Sequence, residues 1–375
     1  MIIGIPAEIK NNEFRVGMTP GGVAEYVAHG HHVLVEKGAG VGSSFADDRF
    51  VAAGAEMVDT ADEVFARAEM IIKVKEPQAV EIEKLRPGQI LYAFLHLAPD
   101  LPQTEGLVAS GAVCIAYETV ESPDRFLPLL APMSEVAGRM AAQVGAAYLQ
   151  KPNGGRGALM GGVAGVPPAN VVVLGAGVVG FNAAYVAKGM GAHVTVLDVN
   201  IDRLRYIEDV WGNTIRTLYS NRHNIDDMIR EADLIIGAVL LPGAKTPWLV
   251  TRDMLSTMKK GAVVVDVSVD QGGCIETTHP TTHADPTFVV DDVLHYGVAN
   301  MPGAVPVTST QALTNATLRY GLAIADKGWM RAVLDDPALA KGVNVLEGAI
   351  TYKPVAEAHD MAYTPLEEVI GYPAV

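Results

Sequence analysis

Residues 171–198 read VVVLGAGVVGFNAAYVAKGMGAHVTVLD, and this stretch decides the fold. Its first four residues, 171–174, are apolar and suit a buried parallel strand. Gly175, Gly177 and Gly180 follow in G-x-G-x-x-G spacing. A long apolar helix comes next, then a second strand over 192–197 that ends on Asp198. Gly175 permits the tight turn, Gly177 lets backbone approach a pyrophosphate, and Gly180 lets helix pack close against strand. The helix N-terminus offers unpaired N–H groups and a positive dipole end to the phosphates. Asp198 is placed to accept hydrogen bonds from the adenosine ribose. The glycine pattern alone also fits a Gly-rich turn in another α/β domain. The flanking strand, helix and acid make it specific for a dinucleotide. Asp198 favours NAD over NADP: a 2′-phosphate at roughly 4 Å from it would cost on the order of a few kcal/mol at an effective dielectric near 20. Arg203 and Arg205 lie close by in sequence and soften that preference.

At 375 residues the chain is long for a single core, so two domains are expected. A net charge of −15, with lysines and arginines dispersed, disfavours nucleic acid or an anionic membrane as partner. Only Cys114 and Cys274 occur, which suits two free buried thiols in a reducing compartment. Between Arg156 and Lys188 there is no charged residue, a gap long enough to mimic a spanning helix. Gly161, Gly162, Gly165, Pro167 and Pro168 break its first half, and a buried strand followed by a buried helix explains it better. Residues 1–5 run straight into Glu8 and Lys10, unlike a signal peptide. The expectation is a soluble cytoplasmic protein.

Outward from the fingerprint, strand and helix signals alternate. Strands are expected over 2–5, 32–36, 70–74, 90–95 and 113–117, with helices near 21–28, 47–53, 61–68 and 101–110 between them. Thr19-Pro20 is a helix start, with Thr as N-cap and Pro in the first turn. A long helix over 133–150, a Gly-rich loop at 153–157 and strands at 214–218, 234–237, 263–267 and 287–290 surround the fingerprint. Another helix, 309–323, precedes the tail. The fold class expected is α/β, with two Rossmann-like doubly wound parallel-sheet domains. The dinucleotide-binding domain, 131–305, is inserted mid-chain; residues 1–130 and 306–375 form the substrate domain.

Open α/β sheets bind ligands outside the carboxyl ends of their strands, so polar residues there are candidates. Arg15 follows the first strand and suits a bidentate carboxylate clamp. Lys75 ends the strand over 70–74. It shares a face with Lys73 in β alternation, so one of the two is open to a solvated role. His96 ends an apolar strand and suits acid–base work near neutrality. Asp270 ends VVVDVSVD, with Asp266 as a competitor inside the same strand. A solvated arginine or lysine and a hydrogen-bonded core histidine are the plain alternatives. Together the four supply a carboxylate clamp, a second cation, an acid–base and an anion, the set that oxidation of an amino acid beside NAD requires. His279 and His283 have i, i+4 spacing, but Pro280 intervenes and no metal site is expected. His29, His31 and His32 read as surface residues around a turn.

GIPAEIKNNEFRVGMTP at 4–20, KVKEP at 73–77, FLHLAPD at 94–100, VVVLGAGVVGFNAA at 171–184, DVSVDQGG at 266–273 and VANMPGAVPVTST at 298–310 follow in this order. The chain thereby resembles the bacterial alanine dehydrogenases over essentially its whole length. That family is grouped with the soluble part of proton-translocating transhydrogenase and with saccharopine-type dehydrogenases. The resemblance implies NAD-dependent interconversion of L-alanine with pyruvate and ammonium. It implies Arg15 and Lys75 as substrate-binding residues, and His96 with Asp270 as the catalytic pair. Ser134, Asp198, Asn300 and Met301 are the implied cofactor-side positions, joined by Gly175, Gly177, Gly180 and Arg203. It also implies a homo-oligomer, usually a hexamer.

Overall fold

A computed structural model describes residues 1–239, 247–269 and 272–371. The chain divides into two compact units, one of residues 1–133 with 303–375 and the other of residues 134–302.

The first unit holds β1 (Ile2–Ile5), β2 (His32–Glu36), β3 (Glu56–Val58), β4 (Met70–Ile72), β5 (Ile90–Ala93) and β6 (Val113–Ala116). The second holds β7 (Asn170–Leu174), β8 (His193–Asp198), β9 (Arg216–Tyr219), β10 (Leu234–Gly237), β11 (Val263–Asp266), β12 (Thr287–Val290) and β13 (Val293–Tyr296). Strands β14 (Val343–Leu346) and β15 (Ala349–Ile350) return to the first unit.

The first sheet runs β15-β14-β6-β5-β4-β1-β2-β3 and the second β12-β13-β11-β10-β7-β8-β9. β1 to β6 pair in parallel; β14 and β15 close that sheet antiparallel. In the second sheet only β12 is antiparallel. Each sheet therefore has a topological switch point. The chain leaves β1 toward β2 and β3, then returns to build β4, β5 and β6 on the other side. It does the same around β7 and β10. Ligands of open α/β sheets bind at such points, outside the strands' carboxyl ends.

The strands are buried apolar runs because helices cover the faces. Leu34, Ile71, Leu91 and Cys114 share one core in the first unit, while Val172, Leu174, Ile235 and Val264 share one in the second. Each such aliphatic side chain contributes about 1.5–3 kcal/mol by leaving water. Thr19 caps the helix Pro20–Ala28 by accepting from Gly22 N–H at 3.2 Å. Both cysteines are buried and free, and burial pushes the Cys114 thiol up to about 12. Among the described residues no helix is long and apolar enough to cross a membrane.

The expected strands over 70–74, 90–95 and 113–117 stop earlier, at Ile72, Ala93 and Ala116. Residues beyond those ends swing out as loops, and that is where the polar candidates stand. The two long helices run over Ala131–Tyr148 and Pro306–Lys327. His31 corrects the surface reading of its turn: its side chain is largely buried, 2.8 Å from Asp326.

Candidate functional site

In the first unit the candidates cluster at the carboxyl ends of β1, β4, β5 and β6. Arg15 lies in the loop after β1, and Lys75 lies beyond the end of the neighbouring β4. Together they flank the switch point. The loop presses onto β4 closely enough that a Cβ on Gly17 would fall 2.6 Å from the Ile72 carbonyl oxygen. Arg15 is buried, not a solvated surface cation. Its Nε and Nη2 meet the two carboxylate oxygens of Glu13 at 2.6 and 2.5 Å, and its Nη1 lies 3.0 Å from Met133 Sδ. One edge of the guanidinium, Nε with Nη2, is thus paired with Glu13.

Lys75 is also buried, with Nζ 3.9 Å from Glu76 Oε2. Glu76 pairs with Lys10 on its other oxygen. Burial drives the Glu76 carboxyl upward, but Lys75, His96 and Lys10 outweigh that and hold it below the ordinary range. Neither lysine of the KVKEP motif is solvated. Lys73 is fully buried, 3.0 Å from Glu8 Oε2 and 2.8 Å from Glu81 Oε1. The alternation argument fails here because the strand ends before Lys73, and because its two partners come from distant segments.

His96 follows β5 in a left-handed conformation, φ 50°, which costs a non-glycine residue on the order of 1 kcal/mol or more. Glu118, just past β6, over-determines it. Its Oε1 accepts the His96 backbone N–H at 2.6 Å and lies 3.4 Å from Nδ1, and both its oxygens lie 3.2 Å from Leu95 N. Burial raises the Glu118 carboxyl, yet the imidazole and these hydrogen bonds bring it below its usual range. Among the described residues Glu118 is the carboxylate on His96. Asp270, the partner expected from sequence, lies outside the described residues. The competitor Asp266 is buried, and its oxygens accept N–H groups from Ser268, Cys274 and Ile275 at 3.0, 3.0 and 3.3 Å. Burial pushes its carboxyl up to about 6. It staples its own loop.

In the second unit Gly175 follows β7 with φ 104°, where a side chain would be strained, and its missing Cβ would fall 2.6 Å from the Ala238 carbonyl after β10. A Cβ on Gly180 would lie 1.8 Å from Gly175 O, so helix Val178–Gly189 seats on the turn only without one. Among the described residues nothing stands within 4 Å of a Cβ on Gly177, open space at the helix start that would suit a pyrophosphate. Asp198 ends β8; its Oδ2 accepts Ala176 N–H at 2.5 Å and its Oδ1 accepts Asn200 N–H at 2.7 Å. Arg203 Nε donates to Ala176 O at 3.0 Å. Asp198 and Arg203 therefore hold the two ends of one residue of the glycine turn. Ser134 stands one turn before Gly138, whose missing Cβ would fall 2.2 Å from Val179 O, so its helix leans on the start of the fingerprint helix. The open cradle, the free turn geometry and the acid at β8 fit a dinucleotide.

Asn300, φ 61°, and the buried Met301 follow β13 on the carboxyl edge of the second sheet. His283 Nε2 donates to Asn300 O at 3.3 Å, while His279 stacks on Phe288 with centroids 3.8 Å apart. The two histidines go to different partners. Sequence reasoning passed over Glu8, Glu13, Glu76, Glu81 and Glu118. The available signal was a charged residue just past an apolar strand, which Glu118 and Glu76 both satisfy.

Two family models match the chain, alanine dehydrogenase/PNT N-terminal domain over residues 4–137 and alanine dehydrogenase/PNT C-terminal domain over residues 141–353. Alanine dehydrogenase of Methanococcus maripaludis is 56% identical over 372 residues, 99% of this chain and 100% of that protein. That of Bacillus subtilis is 53% identical over 371 residues, 99% and 98% of the two. A solved L-alanine dehydrogenase superposes with a TM-score of 0.93 at 50% identity, covering 96% of this chain and 99% of its own. A solved transhydrogenase from Sinorhizobium meliloti superposes with a TM-score of 0.81 at 27% identity, covering 93% and 100%. On its sequence, its two doubly wound sheets and these matches, the chain belongs to the alanine dehydrogenase/PNT family.

Proposed function

We propose that this chain interconverts L-alanine with pyruvate and ammonium, using NAD. The observation that carries the reading is the placement of Arg15 and Lys75 on either side of the first sheet's switch point, with His96 just beyond the end of the next strand, β5. The substrate reading falls on residues 1–130 with 306–375, and the dinucleotide reading on 131–305.

The residues divide the work by charge. Arg15 takes the substrate carboxylate, held by Glu13 so that little side-chain freedom is lost on binding. Lys75 donates to the carbonyl oxygen of pyruvate, polarising it toward amine attack. A nicotinamide dinucleotide, when bound, supplies removal of hydride from Cα of alanine, which leaves iminopyruvate. His96 takes a proton from the water that adds to the protonated imine and returns it to the leaving amine; as the carbinolamine collapses to pyruvate, its hydroxyl proton departs with ammonia as ammonium. Glu118 stabilises the imidazolium between those two transfers. Asp270 is assigned beside His96 on the resemblance alone.

Gly175, Gly177 and Gly180 are assigned to the pyrophosphate and Asp198 to the adenosine ribose; Ser134, Arg203, Asn300 and Met301 complete the cofactor side. The carboxylate at the end of β8 supports NAD over its 2′-phosphorylated form. The reading extends to a cytoplasmic homo-oligomer, a hexamer by resemblance, whose number light scattering measures.

The test is loss of NADH absorbance on mixing the protein with pyruvate and ammonium, each omitted in turn. Loss that needs both supports reductive amination. No loss from a protein that still binds NADH overturns it.

A further inference from the structure

Lys73 is a buried cation for which the chemistry above has no use. With Glu8 and Glu81 it forms a triad whose three side chains are at most 2% exposed. Taking ions out of water costs several kcal/mol apiece, and apolar residues of similar volume often serve stability as well or better. Burial pushes the Glu8 carboxyl up, with Glu13 and Glu81 adding to it and Lys73 and the Val74 N–H opposing. Stability alone is a weak reason for such a cluster.

The second oxygen of Glu8 points to another reason. Glu8 Oε1 accepts the Val74 N–H at 2.6 Å. The Val74 carbonyl, in turn, accepts the Phe94 N–H at 3.1 Å. That carbonyl belongs to the peptide whose N–H is Lys75's own, and Phe94 is two residues before His96. A chain of contacts thus crosses the carboxyl ends of β1, β4 and β5, from Glu8 through Val74 to Phe94. Lys73 and Glu81 hold the Glu8 carboxylate where it can make the first link.

We propose that Glu8 is a positioning residue for the substrate reaction: it anchors the backbone that carries Lys75 and so sets the spacing between Lys75 and His96. The inference rests on the reading of Lys75 as a substrate-binding residue. Its particular content is that the Val74 acceptor, and not the buried charge as such, matters to turnover.

Two triple variants isolate that acceptor. Glu8→Gln and Glu8→Leu are each combined with Lys73→Met and Glu81→Gln, so that no charge stays buried without a partner. The glutamine amide oxygen can still accept from Val74; leucine cannot. The leucine variant should show a pyruvate KM about 10-fold or more above that of the glutamine variant, since small misplacements at a reacting centre cost up to about 100-fold. The NADH KM should be the same in both. Equal pyruvate KM values in two folded triples, or pyruvate and NADH KM values that rise together, would overturn the proposal. Hydrogen exchange supplies a readout free of substrate. Residues 70–77 should exchange faster in the leucine variant and other segments should not; equal protection there overturns the proposal even for an inactive protein. Inactivity of the parent with pyruvate and ammonium would instead sink the functional reading while leaving the exchange result to judge Glu8.

Discussion

Glu118 Oε1 reaches both the main chain and the ring of His96, 2.6 Å from its backbone nitrogen and 3.4 Å from Nδ1. One carboxylate therefore fixes a left-handed backbone and faces the imidazole. Glu118→Gln keeps the shape and an acceptor but removes the charge that stabilises an imidazolium. The expected result is a loss of about 10–100-fold in kcat/KM near neutral pH, with the acid limb of the pH–rate profile displaced. A pH profile superimposable on the parent's would show that the charge does not act on His96.

His96→Ala removes the proposed acid–base itself. Turnover should fall roughly 10²–10⁴-fold, while NADH binding, proposed for the second unit, should not change. Fluorescence titration with NADH separates the two effects. A folded variant with near-parental turnover would remove His96 from the chemistry.

Arg15 and Glu13 form a buried pair with side chains 2% and 0% exposed. Removing the guanidinium takes a close counter-charge from a fully buried carboxylate, so Arg15→Ala should cost about 3–5 kcal/mol of stability as well as pyruvate binding. Arg15→Met with Glu13→Leu should recover much of that stability, because the buried carboxylate is removed together with its counter-charge. It should not recover the pyruvate KM. Denaturant unfolding and steady-state kinetics on the pair of variants test both halves, and recovery of pyruvate affinity in the double variant would deny Arg15 the clamp role.

The legibility of these elements follows from range. The fingerprint could be read because strand, glycines, helix and acid are consecutive, and each has its own local reason. The strand ends that carry Arg15, Lys75 and His96 were equally local. What escaped depends on partners far away in sequence. Lys73 is 65 residues from Glu8, and nothing near it announces that a lysine will be fully buried. Two hairpins were also missed. Asp291-Asp292 turns β12 into β13 with φ 50° and 63°, and Glu347-Gly348 turns β14 into β15 with φ 49° and 83°. Both are two-residue turns with positive φ, but the first uses two aspartates where Asn-Gly or Asp-Gly is the usual signal. The short edge strand β3, with only three residues and a charged start, gives little period to detect.

Asp198, proposed to face the adenosine ribose, carries a charge and braces the glycine turn through the Ala176 N–H. Asp198→Ser keeps a short hydrogen-bonding side chain near Ala176 N–H and removes the anion. The ratio of kcat/KM for NADPH over NADH should rise by about 10–100-fold, the size expected when roughly 1.4–2.7 kcal/mol of repulsion is relieved. An unchanged ratio would place the discrimination elsewhere, with Arg203 and Arg205 the next residues to vary.

Asp266 and His295 give the second unit two opposed pH terms. Burial raises Asp266 from 3.8 to about 6, so between those values the folded state holds a proton that the unfolded state has lost, and stability falls as pH rises. Burial lowers His295 from 6.5 to about 4, so over nearly the same window the unfolded state holds the extra proton, and stability rises with pH. Each amounts to about 3 kcal/mol at 1.36 kcal/mol per unit, and in the parent they largely offset. Asp266→Asn should unmask the histidine: its stability relative to the parent should climb from pH 4 to 6. His295→Gln should do the reverse, with relative stability falling over the same interval. Urea unfolding at half-unit pH steps reads both difference curves, and curves of the same sign would mean that one of the two groups does not titrate as its burial requires.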